Sequence, residues 1–309
     1  MKNHNRPTIA ISIGDLNGVG IEIALKAHAE ISQLCHPLYC INKELLTQAA
    51  KLLKREIPED FQTIDVEGSF VIQAGVLSKE SGRYSYDSFM KSVELCETKK
   101  ADAVVTLPIH KEAWMLSGLE YKGHTDLLRK HFHQEAIMML GCPEMFVALF
   151  TEHMPLKDVA PALSYEKLKT FLLDLHNSIQ KEQIAVLGLN PHAGDNGVLG
   201  NEEEIITKVI NDINKEIGFE QFVGPVVPDV AFAPYFRKNF HYFVAMYHDQ
   251  GLTPLKALYF DESVNISLNL PIIRTSVDHG TAFDIAYKNQ ANTLSYINAV
   301  KSAIEFINS

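Results

Sequence analysis

The chain has 309 residues, and its 28 Lys and Arg against 38 Asp and Glu give a formal net charge of −10 at pH 7. With 46% hydrophobic and 21% charged residues it is typical of a globular protein of one large or two moderate domains, which excludes collagen-like, low-complexity and disulfide-stapled chains. An acidic chain without a dense Lys/Arg block is also a poor candidate for nucleic-acid binding, because that affinity depends on basic residues that displace counterions.

Short apolar, β-branched runs alternate along the chain with longer segments of helical period, a pattern that predicts an α/β fold. Strands are predicted at 8–13, 37–41, 69–73, 103–106, 145–150, 183–189, 230–232, 242–246 and 265–268. Helices are predicted at 20–31, 43–54, 84–99, 125–132, 165–181, 202–215, 281–288 and 293–307. No repeat or linker interrupts this alternation, so we expect any second domain to be interleaved with the first.

The sequence favours a cytoplasmic protein. The apolar run after the polar residues 1–7 stops at Gly14-Asp15, which is too short for the core of a signal peptide, and no apolar stretch approaches the roughly 20 residues of a membrane-spanning helix. The four cysteines form no C-x-x-C pair and have apolar neighbours, so we expect buried, reduced thiols.

Histidines follow several of the predicted strands, and the chain has thirteen of them. The strand at 145–150 is followed by His153, the strand at 183–189 by His192, and the strand at 242–246 by His248. A fourth, at 103–106, leads to His110 and Lys111. Because the carboxyl ends of strands line the ligand crevice of open α/β sheets, these side chains are expected to converge.

Three neutral imidazoles can hold a divalent metal ion while leaving positions open for water or substrate. His153, His192 and His248 are therefore candidate metal ligands, and the turns at Asn190-Pro191 and Asp249-Gln250-Gly251 offer acceptors that could orient them. The alternative is that each histidine is an ordinary loop or core residue, and the pattern alone leaves both interpretations open. His110, beside Lys111, is better interpreted as a polar site residue.

Three segments could hold an anionic group. Gly123-His124-Thr125 opens a predicted helix, where Thr125 could act as a cap and free backbone N–H groups could face an anion. Lys256 and Arg274 stand among apolar residues, where a cation needs either an internal carboxylate or a bound phosphate or carboxylate. Gly14-Asp15-Leu-Asn-Gly18-Val-Gly20 fits neither the G-x-G-x-x-G nor the P-loop spacing, which excludes a Rossmann fingerprint.

Taken together, six motifs closely resemble the 4-hydroxythreonine-4-phosphate dehydrogenase family of pyridoxal phosphate biosynthesis. They are Gly14-Asp15-x-x-Gly18-x-Gly20-x-Glu22, Gly123-His124-Thr125, Thr151-x-His153-x-Pro155-Leu156, Leu189-Asn-Pro-His-Ala-Gly194, Tyr247-His-Asp-Gln-Gly251 and Arg274-Thr-Ser-Val-Asp-His-Gly-Thr-Ala282. The resemblance runs in order from residue 8 to about residue 300. The chain departs from the family's usual pattern at Leu16, Asn17, Ile21 and Leu107, which affects loop geometry more than chemical groups.

The resemblance implies roles for individual residues. His153, His192 and His248 would bind one divalent cation, such as zinc, magnesium or cobalt. The substrate would be held by His124, Thr125, Lys256, Asn265 and Arg274. The segment from His279, Gly280 and Thr281 to Asp284, with Asn292 beyond, would help to hold NAD or NADP. The implied assembly is a homodimer with active sites at the subunit interface and ligands drawn from both chains.

The implied fold is that of the isocitrate and isopropylmalate dehydrogenases, two three-layer α/β/α domains around a cleft without a Rossmann domain. Residues 1–125 with 262–309 would form the cofactor-side domain, and residues 126–261 the domain for metal binding and dimerisation.

The implied reaction is the oxidation of 4-phosphooxy-L-threonine at C3 by NAD, followed by decarboxylation to 3-amino-2-oxopropyl phosphate in pyridoxine 5'-phosphate biosynthesis. A metal ion on the substrate oxygen would assist both steps, and Lys111 or His110 could assist proton transfer. Two alternatives are a related dehydrogenase for another phosphorylated hydroxy acid and a three-histidine metal hydrolase. A third alternative is a non-catalytic binding protein. Such a protein would not need three metal ligands, two cations for an anionic substrate and a nucleotide-binding loop together.

Overall fold

The structure is a computed structural model that describes residues 6–180 and 182–308. The described residues divide into two units, of which the first comprises 6–134, 264–266 and 270–308 and the second 135–263 and 267–269. Helix α5 (His124–Phe132) lies wholly in the first unit, whereas the predicted division at 125/126 falls inside it. Within residues 6–180 and 182–308, no helix has both the length and the apolarity needed to cross a bilayer.

The first unit is built on parallel strands. Their spatial order is β3 (Thr63–Ile64), β2 (His36–Cys40), β1 (Thr8–Ser12), β4 (Ala103–Thr106) and β11 (Ile273–Val277), with β10 (Val264–Leu268) next to β11. Neighbouring strands from β3 to β11 pair in parallel. The central strands are buried along almost their whole length, as a parallel sheet with helices on its faces requires.

Six helices accompany these strands: α1 (Gly20–Leu34), α2 (Lys43–Leu53), α3 (Lys79–Glu97), α4 (Lys111–Leu116), α5 and α12 (Leu294–Asn308). Helix α3 packs on β1, β2 and β4, whereas α1 and α12 pack against each other, with α1 also contacting β2 and α12 contacting β4 and β11. Side-chain caps fix two helix starts, because Asn42 accepts a hydrogen bond from Leu45 N and Ser78 accepts one from Ser81 N.

The second unit has a mixed set of strands. Their order is β5 (Ile137–Cys142), β6 (Met145–Leu149), β9 (Tyr242–Ala245), β7 (Ile184–Leu187) and β8 (Phe222–Val226). Strands β5 and β6 form an antiparallel hairpin, and β6, β9, β7 and β8 pair in parallel.

The helices of the second unit are α6 (Val159–Ala162), α7 (Tyr165–Ser178), α8 (Glu202–Ile217), α9 (Pro228–Ala231), α10 (Pro234–Arg237) and α11 (His248–Tyr259). A short 3-10 segment lies at Leu156–Asp158, and Pro191–Gly197 form tight turns with positive φ at residues 192–196. Helix α11 packs on β5, β6 and β9, and Gly251 permits the close approach, because a Cβ there would lie 2.4 Å from Val147 Cγ1.

The α/β class predicted from the sequence is confirmed, but three predicted elements are wrong. Residues 281–288 form turns instead of a helix, with positive φ at Ala282 and Tyr287. Residues 230–232 overlap the short helix α9 instead of forming a strand, and residues 69–73 are not in a strand. Each of these predictions rested on a few apolar residues with the spacing of a helix or a strand. Such a short local pattern does not decide the structure where contacts with distant parts of the chain favour another conformation.

Two valines offer a matched test of the core of the first unit. Val104 in β4 is fully buried in a cluster with Trp114, the only tryptophan in the sequence, whereas Val71 is 75% exposed. We expect Val104→Ala to lower the free energy of unfolding by about 2 kcal/mol, because it leaves a cavity, and Val71→Ala to change it by less than about 0.5 kcal/mol. Denaturation followed by Trp114 fluorescence measures both, and equal effects would contradict the assigned core.

Candidate active site

The first unit contains a buried cation at the centre of a polar cluster. Arg274 lies on β11 and is only 2% exposed. Its Nη2 donates to Thr106 Oγ1 at 2.7 Å and to His124 Nδ1 at 3.1 Å. Thr106 is the last residue of β4, and His124 is the first of α5, so the side chain of Arg274 from the neighbouring strand meets one strand end and one helix start.

The contact with Arg274 fixes the tautomer of His124. A guanidinium can only donate, so Nδ1 must carry the lone pair and Nε2 the proton. Burial above all, with the positive charges of Arg274 and Lys111, holds the pKa of His124 well below its usual range. The ring is therefore neutral at pH 7, wedged edge-on against Phe89 and Trp114.

The Nε2 atom of His124 is buried and has no hydrogen-bond partner within the described residues. The burial of Arg274 lowers the pKa of its guanidinium to about 9, so the group still carries its charge at neutral pH. The cluster thus combines a buried positive charge with a neutral N–H donor. This combination suits an anionic oxygen, because both groups donate to it and neither has to lose a proton.

The other residues predicted to bind substrate in this unit lie on adjacent elements. Thr125 is buried in the first turn of α5; the cap of that helix is Gly123, so the predicted capping role of Thr125 is wrong. Lys111 opens α4, and its Cε lies 3.5 Å from the position of a Cβ at Gly123. Asn265 is half-buried on β10, and its Oδ1 is buried with no hydrogen-bond partner among the described residues.

The first loop places a buried carboxylate near His110. Asp15 Oδ1 accepts hydrogen bonds from the Ser81 hydroxyl and from Asn17 N, and burial raises the pKa of Asp15. His110 lies on the loop after β4, and its ring stacks on Phe283 with the centroids 4.9 Å apart. Asp15 Oδ2 and His110 Nδ1 are both buried without hydrogen-bond partners in residues 6–180 and 182–308, so both are available to a ligand.

Residues 278–293, which we call the β11–α12 loop, contain all five residues predicted to hold a nucleotide: His279, Gly280, Thr281, Asp284 and Asn292. Thr281 is buried, and its carbonyl accepts a hydrogen bond from Val19 N at 3.0 Å. The other four residues are exposed, and a Cβ at Gly280 would meet no described heavy atom within 4 Å. The exposed carboxylate, imidazole and amide fit the hydroxyl and amino groups of a nucleotide.

In the second unit, two of the three predicted metal ligands lie side by side. His153 follows β6, His248 opens α11 directly after β9, and their ring centroids are 5.4 Å apart. The Thr151 hydroxyl donates to Met246 O at 2.6 Å. This bond joins the segment that follows β6 and carries His153 to the segment that follows β9 and carries His248. His248 Nδ1 hydrogen-bonds Asp249 Oδ1 at 2.8 Å, which leaves Nε2 as its atom for a ligand.

His192 lies in the exposed turns of Pro191–Gly197 that follow β7, where its φ is +53°. Within residues 6–180 and 182–308, no three His, Cys, Asp or Glu side chains are close enough to hold a metal ion. Three imidazoles are still a donor set that suits a divalent transition metal, and the His153–His248 pair supplies two of them. The metal assignment of all three histidines stays a prediction.

Lys256, predicted to bind substrate, lies in the second unit in the last turn of α11. Its Nζ is 5.3 Å from the centre of the Phe260 ring, a cation–π contact with the next turn of chain.

Sequence reasoning missed several residues that shape these sites. Thr106 has the same signal as the histidines, a polar residue at a strand end. Glu203 accepts hydrogen bonds from Leu189 N and Asn190 N, and it thereby fixes the start of the loop that carries His192. Gln250 is named in the sequence only as part of the turn at 249–251; in the structure it bridges two strand ends, because it accepts from Met246 N and donates to Gly188 O. No local pattern reveals the role of Glu203 or the contact of Gln250 with Gly188 O, because these partners lie 13 or more positions away in the sequence.

Comparison with known proteins gives a consistent result. A family model described as "Pyridoxal phosphate biosynthetic protein PdxA" matches residues 33–303. A protein of Sulfurimonas denitrificans named 4-hydroxythreonine-4-phosphate dehydrogenase is 70% identical over 296 residues, which cover 96% of this chain and 96% of that one. A protein of Campylobacter fetus with the same name is 55% identical over 300 residues, covering 97% and 98%.

Among solved structures, the 4-hydroxythreonine-4-phosphate dehydrogenase of Klebsiella pneumoniae superposes with a TM-score of 0.86 at 30% sequence identity, covering 100% of both chains. The match in sequence and the match in structure both extend over almost the whole chain. The chain belongs to the PdxA family of pyridoxal phosphate biosynthetic proteins.

Proposed function

We propose that the protein is an NAD-dependent 4-hydroxythreonine-4-phosphate dehydrogenase. It oxidises the C3 hydroxyl of 4-phosphooxy-L-threonine to a ketone, and the resulting β-keto acid loses CO2 to give 3-amino-2-oxopropyl phosphate. The observation that carries this proposal is the buried Arg274–His124–Thr106 cluster, which offers an anionic substrate a positive charge and a neutral donor. The names of relatives up to 70% identical support the choice of substrate.

Arg274 and His124 would bind an anionic end of the substrate, and the first turn of α5 at Thr125 would add backbone N–H donors. Asn265, with its buried Oδ1 available, would accept from a hydroxyl or ammonium group of the substrate. Lys256 would bind a second anionic group. A substrate fixed at both ends keeps its C3 hydrogen in one orientation, which accounts for much of the catalytic effect.

His153, His192 and His248 would hold one divalent cation, for which zinc, magnesium and cobalt are candidates. When bound, the cation would act as a Lewis acid that polarises a substrate oxygen. Because the described part of one chain brings only His153 and His248 together, we propose a homodimer in which one active site draws ligands from both chains.

The β11–α12 loop would bind NAD, with NADP as the alternative, and the nucleotide would accept the hydride. Asp284 would accept hydrogen bonds from a ribose, and His279 and Asn292 would contact other polar groups of the nucleotide. Lys111 or His110 would take up the proton of the C3 hydroxyl. Lys111 is close enough to His124 to lower its pKa, and His110, the residue before Lys111, has a buried Nδ1 with no hydrogen-bond partner among the described residues; these two observations support the role.

The proposed reaction predicts the appearance of NADH. We expect chelator-stripped protein to be nearly inactive with 4-phosphooxy-L-threonine and NAD, and activity to return when a divalent metal is restored. Absorbance at the NADH band measures the redox step, and release of CO2 measures the second step. Metal-dependent product without NADH would instead establish the hydrolase, and a faster reaction with another phosphorylated hydroxy acid would establish the related dehydrogenase.

Arg274→Lys tests the substrate cluster. Lysine keeps the charge but loses the planar fork that contacts Thr106, His124 and a ligand at once. We expect kcat/KM for the phosphorylated substrate to fall roughly 10- to 100-fold, with little change in the affinity for NAD. Arg83→Lys, at an exposed Arg–Asp pair on α3, is the matched control and should leave both unchanged. An unaltered kcat/KM in Arg274→Lys would remove Arg274 from the site.

Because His124 is neutral in the folded protein, the free energy of unfolding should depend on pH. Unfolded histidine takes up a proton near pH 6.5, whereas the folded His124 does not, so the unfolded state binds more protons as the pH falls below that value. The wild-type free energy of unfolding should therefore fall more steeply from about pH 6.5 to about pH 5.5 than that of His124→Gln, by up to about 1.4 kcal/mol per pH unit.

Urea denaturation across this pH range measures the two slopes. The variant His36→Gln, at an exposed histidine on β2, controls for the loss of one histidine from the chain. Identical slopes for the wild type and His124→Gln would mean that the folded His124 takes up a proton after all.

A further inference from the structure

The buried carboxylate of Glu22 binds the backbone of the β11–α12 loop. Glu22 lies in the first turn of α1 and is fully buried. Its Oε1 accepts a hydrogen bond from Ala291 N at 2.8 Å, and its Oε2 accepts one from Asn289 N at 3.1 Å. Both oxygens of a single side chain therefore bind the backbone of the same loop.

Lys26, one turn further along α1, completes the arrangement. Its Nζ donates to Ala291 O at 2.6 Å and lies 3.7 Å from Glu22 Oε1. We call Glu22, Lys26 and the backbone groups of Asn289 and Ala291 the Glu22 clamp. Hydrogen bonds to an ionised carboxylate are stronger than those between neutral groups, and a buried carboxylate that lost them would be strongly unfavourable.

The loop needs such external support because its own conformation is strained. Ala282, Tyr287 and Asn289 all have positive φ, at +43°, +61° and +58°, a region that residues with a side chain rarely adopt. The Tyr287 hydroxyl donates to Leu16 O at 2.7 Å, which adds a second attachment to the first loop. Strained backbone of this kind persists only where surrounding contacts hold it.

Different groups of the β11–α12 loop contact the clamp and the solvent. The N–H groups of Asn289 and Ala291 point to the buried carboxylate, whereas the side chains of His279, Asp284 and Asn292 are exposed. Glu22 itself has no exposed surface with which to touch a ligand. Its effect on a bound molecule must therefore pass through the shape of the loop.

We propose that Glu22 is a positioning residue for the nicotinamide nucleotide: by clamping the β11–α12 loop, it keeps the exposed groups in the arrangement that binds NAD or NADP. The inference rests on the proposed function, since it assigns the nucleotide to this loop. Without the clamp, only a fraction of molecules would have the loop in its binding shape, and the apparent affinity for the nucleotide falls by that fraction. Binding of the phosphorylated substrate to Arg274 would be unaffected.

Glu22→Gln tests this inference with a side chain of the same size. Glutamine has one acceptor oxygen, so its NH2 group must face one of the two loop N–H donors. We expect amide hydrogen exchange at Asn289 and Ala291 to become about tenfold faster or more in the nucleotide-free protein. Calorimetric titration with NAD should show a Kd raised about tenfold, while kcat at saturating NAD and KM for the phosphorylated substrate stay within about twofold.

Glu30→Gln is the matched control, because Glu30 lies on the same helix, is exposed and pairs with a lysine at 3.8 Å. It should alter none of these quantities. Lys26→Met weakens the clamp from its other side without altering the carboxylate, so it should shift exchange and Kd in the same direction, by about threefold. If Glu22→Gln does not fold, Lys26→Met decides the question alone.

A wild-type Kd for NAD in the clamp variants, with or without faster exchange, would overturn the role of Glu22 while leaving the proposed function intact. A rise in KM for the phosphorylated substrate equal to that for NAD would also overturn it, because it would indicate general damage to the fold. A wild-type protein that binds neither NAD nor NADP would refute the proposed function itself, and this inference with it.

Discussion

Parallel pairing of strands is the constraint from which the sites in both units follow, because the carboxyl ends of parallel strands lie at one edge of a sheet. In the first unit, Ser12, Thr106 and Ser276 stand opposite one another at the ends of β1, β4 and β11. The loops that leave these strands carry Asp15, His110 and the residues of the β11–α12 loop. In the second unit, the paired ends of β6 and β9 bring together His153 and His248.

The buried guanidinium of Arg274 shows how this edge accommodates a charge. Desolvation disfavours the charged form, and Thr106 and His124 offset part of that penalty by accepting hydrogen bonds while remaining neutral. Burial above all, and then this same positive charge, lowers the pKa of His124 and keeps the ring unprotonated. An anionic ligand would stabilise the charge further, so the cluster has most to gain from a ligand with a negative oxygen. A lysine at this position could not make both contacts from one rigid plane.

The spacing of apolar and polar residues in the sequence was enough to predict the long helices and part of the candidate site. Long helices such as α1, α8 and α12 have clear periodicity, and polar residues that follow buried strands, among them His153 and His248, indicate a site without any knowledge of distant contacts. Helices α4, α9 and α10 are only four to six residues long, too short for a periodic pattern. The predictions of a nucleotide-binding loop and of a homodimer rest only on the resemblance to a family, because no local pattern in this sequence indicates either.

The predicted helix at 281–288 is wrong for a reason that concerns the site itself. Ala282, Ile285 and Ala286 have helical spacing, but the backbone N–H groups that follow find a partner 267 to 269 positions away, at Glu22. Positive φ at Ala282 and Tyr287 is incompatible with a helix over 281–288, and the carboxylate of Glu22 holds the two amides that follow in the loop conformation. The contact ties the start of the chain to its end, so the loop acquires its shape only when the first unit has folded. The shape of the surface that this loop offers to a ligand therefore depends on Glu22, a residue too buried to touch that ligand.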